Sequence, residues 1–225
     1  MLLRITVQTL AWLAFMGVLL FAAAGNWRWP EAWAFLLIFA LGSAAFCAWL
    51  MRRDPALLAQ RMGSLVQKGQ PLWDKIFMSI VMVGWNLWLI VMALDAQRFQ
   101  WSHMPVWLEV LGGALIVTGF AGVVPVFAAN SFAAPVVRVQ GERGQRVIDT
   151  GPYAWVRHPM YAAATLCLIG LPLLLGSWYG LIGTAIIILG ISWRATHEEQ
   201  MLRRDLSGYD AYMVRVPWRL IPHVW

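Results

Sequence analysis

Charge is scarce in this chain: 12% of its 225 residues are Asp, Glu, Lys or Arg, while 60% are hydrophobic. A soluble domain carries about a quarter charged residues, so the deficit argues against a water-facing surface on all sides. Cysteine is nearly absent, and Cys47 and Cys167 both lie inside apolar runs. Two such residues give neither a disulfide framework nor a zinc pattern, and no metal site is expected. Basic blocks and nucleic-acid fingerprints are also missing, although the net charge is +6. The cations are spread through loops, where anionic lipid headgroups suffice to explain them, and no nucleic-acid partner is expected.

What the chain has in abundance is apolar length and tryptophan, 15 of them. Tryptophan gathers at bilayer interfaces, and roughly 20 apolar residues cross the hydrocarbon layer. Runs over residues 5–24, 32–51, 76–94 and 106–129 meet that length, the last interrupted by glycines and Pro125. Two shorter runs, 160–175 and 178–193, flank Gly176-Ser177 and read as a helical hairpin. The expected fold is an all-α integral membrane protein with about six passes, a C-terminal hairpin and a cytoplasmic cofactor pocket. Arg4, the first apolar run and Ala22-Ala23-Ala24 imitate a secretory signal, but the run exceeds a signal core and is read as a retained helix.

Orientation follows the loop cations. Only Arg28 and Arg98 fall on one side. Arg4, Arg52, Arg53, Arg61, Lys68, Lys75, Arg138, Arg143, Arg146, Arg157, Arg194, Arg203, Arg204, Arg215 and Arg219 fall on the other. That side is expected to be cytoplasmic, with both termini, at an inner (plasma) membrane. No ionisable residue lies in the middle of a run, which argues against an ion pathway; a membrane scaffold or transporter-like protein that is not an enzyme stays as a further reading, to be favoured by an absence of nucleotide binding. Residues 1–129 read as four membrane helices and 130–225 as the part that carries chemistry.

Polar material concentrates in 130–159 and after 193. Val136-Val137-Arg138-Val139 and Arg146-Val147-Ile148-Asp149 are extended-looking runs that pair as a small hairpin in this reading. Tyr153 to Tyr161 opens the fifth membrane helix and Arg194 to Glu199 closes the sixth, so a hairpin brings them together. Pro159 suits a first helical turn, which puts His158 at the cap beside free backbone donors fit for a carboxylate. Glu198 and Glu199 accept from an ammonium group or ribose hydroxyls, and Arg157 and Arg194 hold a carboxylate. Tyr153, Trp155 and Tyr161 offer faces to an adenine or a sulfonium. Each residue alone is an ordinary interfacial anchor or surface ion pair; His103 and His223 read as loop residues, and His197 has no partner at ligand spacing.

Taken together, Gly151-Pro152-Tyr153-x-x-x-Arg157-His158-Pro159-x-Tyr161, Arg194-x-x-x-Glu198-Glu199-x-x-Leu202 and Tyr209-x-x-Tyr212-x-x-x-Val216-Pro217 resemble the isoprenylcysteine carboxyl methyltransferase family. The resemblance covers about 130–222. It implies S-adenosylmethionine as cofactor, bound by Tyr153, by His158, Pro159, Met160 and Tyr161, and by Glu198, with Arg157 and Glu199 beside them. By position alone it adds Gln145, Arg146, Val147 and Ile148. Arg194 is implied to face the methyl acceptor, a small or lipid-like molecule taking the methyl on a carboxylate, thiol or other group. Two related patterns stand as alternatives. Membrane sterol reductases, which use NADPH, share Arg-His-Pro-x-Tyr but continue Gly-Asp where this chain has Ala162-Ala163, and they lack the acidic pair. Phospholipid N-methyltransferases are closer and differ mainly in acceptor.

Overall fold

The computed structural model describes residues 2–63, 67 and 69–225. Lys68, one of the loop cations, lies outside the described residues. The helices are α1 (Leu2–Ala24), α2 (Pro30–Arg53), α3 (Pro55–Arg61), α4 (Leu72–Ala93), α5 (Val106–Ala129), α6 (Pro159–Leu175), α7 (Trp178–Asp205) and α8 (Tyr209–Arg215). A π turn, Leu94–Arg98, extends α4, and 3₁₀ turns cover Gly141–Arg143 and Gly151–Ala154. Proline opens α2, α3 and α6, where its missing N–H costs nothing. Asp54 caps α3 by accepting the Leu57 N–H at 2.9 Å.

The chain is an all-α, multi-pass membrane protein. Five helices among the described residues are long and apolar enough to cross a bilayer: α1, α2, α4 with its π turn, α5 and α7. The fifth apolar run forms α6, whose 17 residues span only roughly 25 Å. By contrast α7 runs on without a break past the expected end near residue 193, and its 28 residues reach roughly 42 Å. It therefore carries Arg194 and the acidic pair on continuous helix rather than on a separate tail segment. The helix ends at Asp205, and Gly208, whose φ of 85° favours a residue without a Cβ, leads into α8.

The glycines that interrupt α5 in sequence are its packing face. A Cβ on Gly112 would lie 2.6 Å from the Gly170 carbonyl oxygen, and one on Gly119 would lie 2.9 Å from that of Ala163. Small residues at seven-residue spacing on both helices let α5 and α6 touch backbone to backbone, a common device where lipid gives no hydrophobic drive for helix association. Pro125 sits inside α5 without ending it. Pro172 sits inside α6 and removes the donor due to the Leu168 carbonyl, and Thr184 on α7 supplies a hydroxyl there instead, at 2.8 Å. At the turn of the hairpin, Gly176 adopts φ 79° and Ser177 caps α7 by accepting the Gly180 N–H.

Met16, Leu20, Phe35, Leu89, Met92, Leu171 and Leu175 form the main core between α1, α2, α4 and α6. Trp88 lays its ring against Gly183 of α7 and donates to the Gly180 carbonyl at 2.8 Å. The turn of the hairpin is tied down as well. Buried Asp95 accepts from the Ser102 and Ser177 hydroxyls at 2.7 and 2.6 Å. With one end of α6–α7 fixed in this way, its other end presents the polar residues.

Candidate functional site

Tail and hairpin entrance are joined by backbone bonds. Arg157 N–H donates to the Trp218 carbonyl and His158 N–H to that of Arg219, both at 2.9 Å. The Tyr212 hydroxyl donates to the Tyr153 carbonyl at 2.8 Å. His158 does stand at the cap of α6, but its N–H is taken by the tail and that of Tyr161 turns back to the His158 carbonyl. The expected row of free donors is thus mostly spent on the fold.

The acidic pair divides its labour, since adjacent helical residues point about 100° apart. Glu199 is 2% exposed and forms a hub: Arg157 Nε at 2.7 Å, His158 Nε2 at 3.1 Å and Arg219 Nε at 2.9 Å all meet its carboxylate. Arg157 also donates to the Val216 carbonyl at 2.7 Å. Glu198 faces the other way and accepts the Tyr161 hydroxyl at 2.7 Å, with no ion-pair partner among the described residues. The His158 and Tyr161 rings stack at 5.3 Å, 9° from parallel.

Opposite lies the stretch 130–148, which forms no β-hairpin. Gln140 organises it: its N–H donates to Gln145 Oε1 and its side-chain amide to the Phe132 carbonyl, both at 2.7 Å. The Val137 N–H, which a ladder would need, goes to the Asp74 carboxylate at 2.9 Å. Alternate residues of this strap are fastened from the membrane side. Arg61 donates to the Ala133 carbonyl at 3.0 Å, Arg194 to the Pro135 carbonyl at 2.9 Å, and Asp74 holds Val137. Asp74 also takes Arg194 Nε at 2.8 Å and the Gln70 amide at 2.7 Å.

Between strap, hairpin entrance and α7 opens a cleft of about 100 Å³. Gln145, Arg146, Val147 and Ile148 line it, with Tyr153, Arg157, His158, Met160, Tyr161, Arg194 and Glu198. Two expected site residues stand elsewhere: Glu199 is the buried hub, and Pro159 faces an apolar groove. Burial pushes the Tyr153 hydroxyl up to about 12, with the Asn130 hydrogen bond opposing. Tyr209 and Tyr212 rise for the same reason, burial. His197 packs on Trp193 at 4.0 Å and gives its Nδ1 to the Trp193 carbonyl.

Sequence reasoning missed Asp74, Arg61 and Asn130. Only Asp74 left a trace, an acid in the first turn of an apolar helix behind Pro71, a place where nothing in a bilayer interface demands one.

Residues 107–207 match the phospholipid methyltransferase family. The chain is also similar to the nickel-cobalt-cadmium resistance protein NccN of Alcaligenes xylosoxydans xylosoxydans, 24% identical over 135 residues, 57% of this chain. The matched part spans 58% of that relative's length. The family match contains α5, the strap, the hairpin and most of α7, so the cleft is built largely from the part of the chain that matches a family of membrane S-adenosylmethionine-dependent methyltransferases.

Proposed function

We propose that the chain binds S-adenosylmethionine in the cleft and transfers its methyl group to a small or lipid-like acceptor at the cytoplasmic face of the membrane. The observation that carries this is Glu198: a carboxylate lining the cleft beside two tyrosines, with no ion pair among the described residues. Such a group accepts from an ammonium or from ribose hydroxyls. Tyr153 and Tyr161 offer π faces to a sulfonium, and Gln145 to Ile148 form the opposite wall. Glu199 acts through Arg157 and His158 as a positioning residue. In this reading 130–225 is the methyl-transfer core, mounted on 1–129.

The cofactor supplies a methyl group on a positively charged sulfur. A carboxylate or thiolate acceptor is already a nucleophile, so the protein's part is to align the reactants and keep water out. Arg194 holds an anionic acceptor; its Nε and Nη2 are engaged by Asp74 and Pro135, while Nη1 makes no hydrogen bond among the described residues. An apolar acceptor chain fits the groove of Gly122, Pro152, Pro159, Ala162, Leu166 and Ile169. Pro152 and Pro159 precede Tyr153 and Met160 of the cleft wall, so the groove adjoins the site.

For the acceptor, a carboxylate or thiol as in the isoprenylcysteine carboxyl methyltransferases is one reading. The family match favours a second, a phospholipid amine. Incubating the purified protein with methyl-labelled S-adenosylmethionine and either a membrane lipid extract or an isoprenoid acid separates them. Label in a lipid amine supports the second reading, base-labile label in an ester supports the first, and no transfer to any fraction contradicts both.

A further inference from the structure

The guanidiniums around the site are not all alike. Arg157 meets Glu199 at 2.7 Å and Arg194 meets Asp74 at 2.8 Å. Arg61, the last residue of α3, has no carboxylate within ion-pair reach among the described residues. It holds the Ala133 carbonyl at 3.0 Å, touches Met160 Sδ at 4.0 Å and lies 4.5 Å over the Phe127 ring. All three partners are neutral. Taking a charge out of water without a counter-charge is costly. Burial lowers Arg61 only to about 10, so the charge persists at neutral pH.

Glu198 presents the complementary case: among the described residues it has a hydroxyl partner and no ion pair, though its charge also acts on Arg194. Both charges act on the Tyr153 hydroxyl, Glu198 raising it and Arg61 lowering it. Tyr153, Ala133 and Met160 all line the cleft. Arg61 stands directly behind that wall and outside the 107–207 match, on a part of the chain that otherwise reads as membrane anchor. A cation and an anion beside one cleft suit a ligand that is itself zwitterionic.

We infer that Arg61 is the counter-charge for the carboxylate at the amino-acid end of S-adenosylmethionine, with Glu198 serving the ammonium. The inference rests on the methyltransferase reading and names a residue for its cofactor. Arg61 as a mere staple for the strap would hold the wall without sensing what the ligand carries.

The test is a binding cycle on the full chain purified in detergent, wild type, Arg61→Gln and Arg61→Lys. The probes are S-adenosylmethionine and its decarboxylated form, which differ in the carboxylate alone. An attraction acting through the Ala133–Met160 wall predicts that wild type prefers the carboxylated form several-fold. Arg61→Gln should erase that preference and Arg61→Lys keep part of it. The ratio of the two dissociation constants is read on folded protein only, so partial misfolding does not disturb it. Arg61→Gln weakening both ligands equally, or neither, overturns the inference. Wild type binding neither ligand would bring down the methyltransferase reading itself, before any variant is made.

Discussion

Arg194 Nε donates to Asp74 Oδ1 at 2.8 Å, joining α7 to the head of α4 across 120 residues of sequence. The pair is nearly closed to solvent, with side chains 9% and 0% exposed. Removing one partner of such a pair leaves an uncompensated buried charge, at a cost of roughly 3–5 kcal/mol. Asp74→Ala should therefore lower thermal stability in detergent by that order and loosen the strap, since Val137 loses its acceptor too. Asp210→Ala, which breaks an ion pair with side chains more than half exposed, should cost about 0–1 kcal/mol. Equal effects of the two substitutions would contradict the assigned role of Asp74.

The two neighbouring glutamates should fail differently. Glu199→Ala strands Arg157, His158 and Arg219 in a buried hub and should show first as lost stability. Glu198→Ala leaves the hub intact and should lower cofactor affinity at near-normal melting temperature. A calorimetric melt and a binding curve on each variant check this; a Glu198 variant that melts early with unchanged affinity would reverse the assignment.

The α5–α6 contact predicts the outcome of a small change in bulk. Gly119→Val drives side-chain atoms toward the Ala163 carbonyl and Cys167, an overpacking that costs about 1–3 kcal/mol. Gly84→Val, where a Cβ meets nothing within 4 Å, should be near neutral by comparison. Comparable melting temperatures for the two would argue against the glycine seam.

Thr184→Val tests the repair of the Pro172 gap. The substitution keeps shape but leaves the Leu168 carbonyl without the hydroxyl at 2.8 Å, and an unsatisfied buried acceptor costs about 1–3 kcal/mol. The measurement is unfolding in detergent, where a change below a few tenths would show that the gap needs no donor.

Those features that reside in local sequence were legible there. Apolar length alone marked the membrane helices, because the hydrocarbon layer imposes it. Tyr153 to Tyr161 and Glu198-Glu199 were found as motifs, and a hairpin turn at Gly176-Ser177 is enough to bring them together. What depends on distant pairing was not. Asp74 and Arg61 reach the strap from before α5, and no local pattern links an acid behind Pro71 to an arginine on α7. Val136 to Val139 looked like a strand because β-branched residues favour one, yet a carboxylate from another helix claimed the Val137 N–H. Glycine was ambiguous for the same reason: in α5 it reads as interruption until a second helix lies against it.

The central claim is that the cleft holds a methyl donor, and a direct titration tests it. Purified protein in detergent is titrated with S-adenosylmethionine and, separately, with NADPH, and the Glu198→Ala variant is run beside it. The account predicts saturable S-adenosylmethionine binding that the variant loses, and no NADPH binding. Saturable binding of NADPH with none of S-adenosylmethionine would contradict it and favour a reductase.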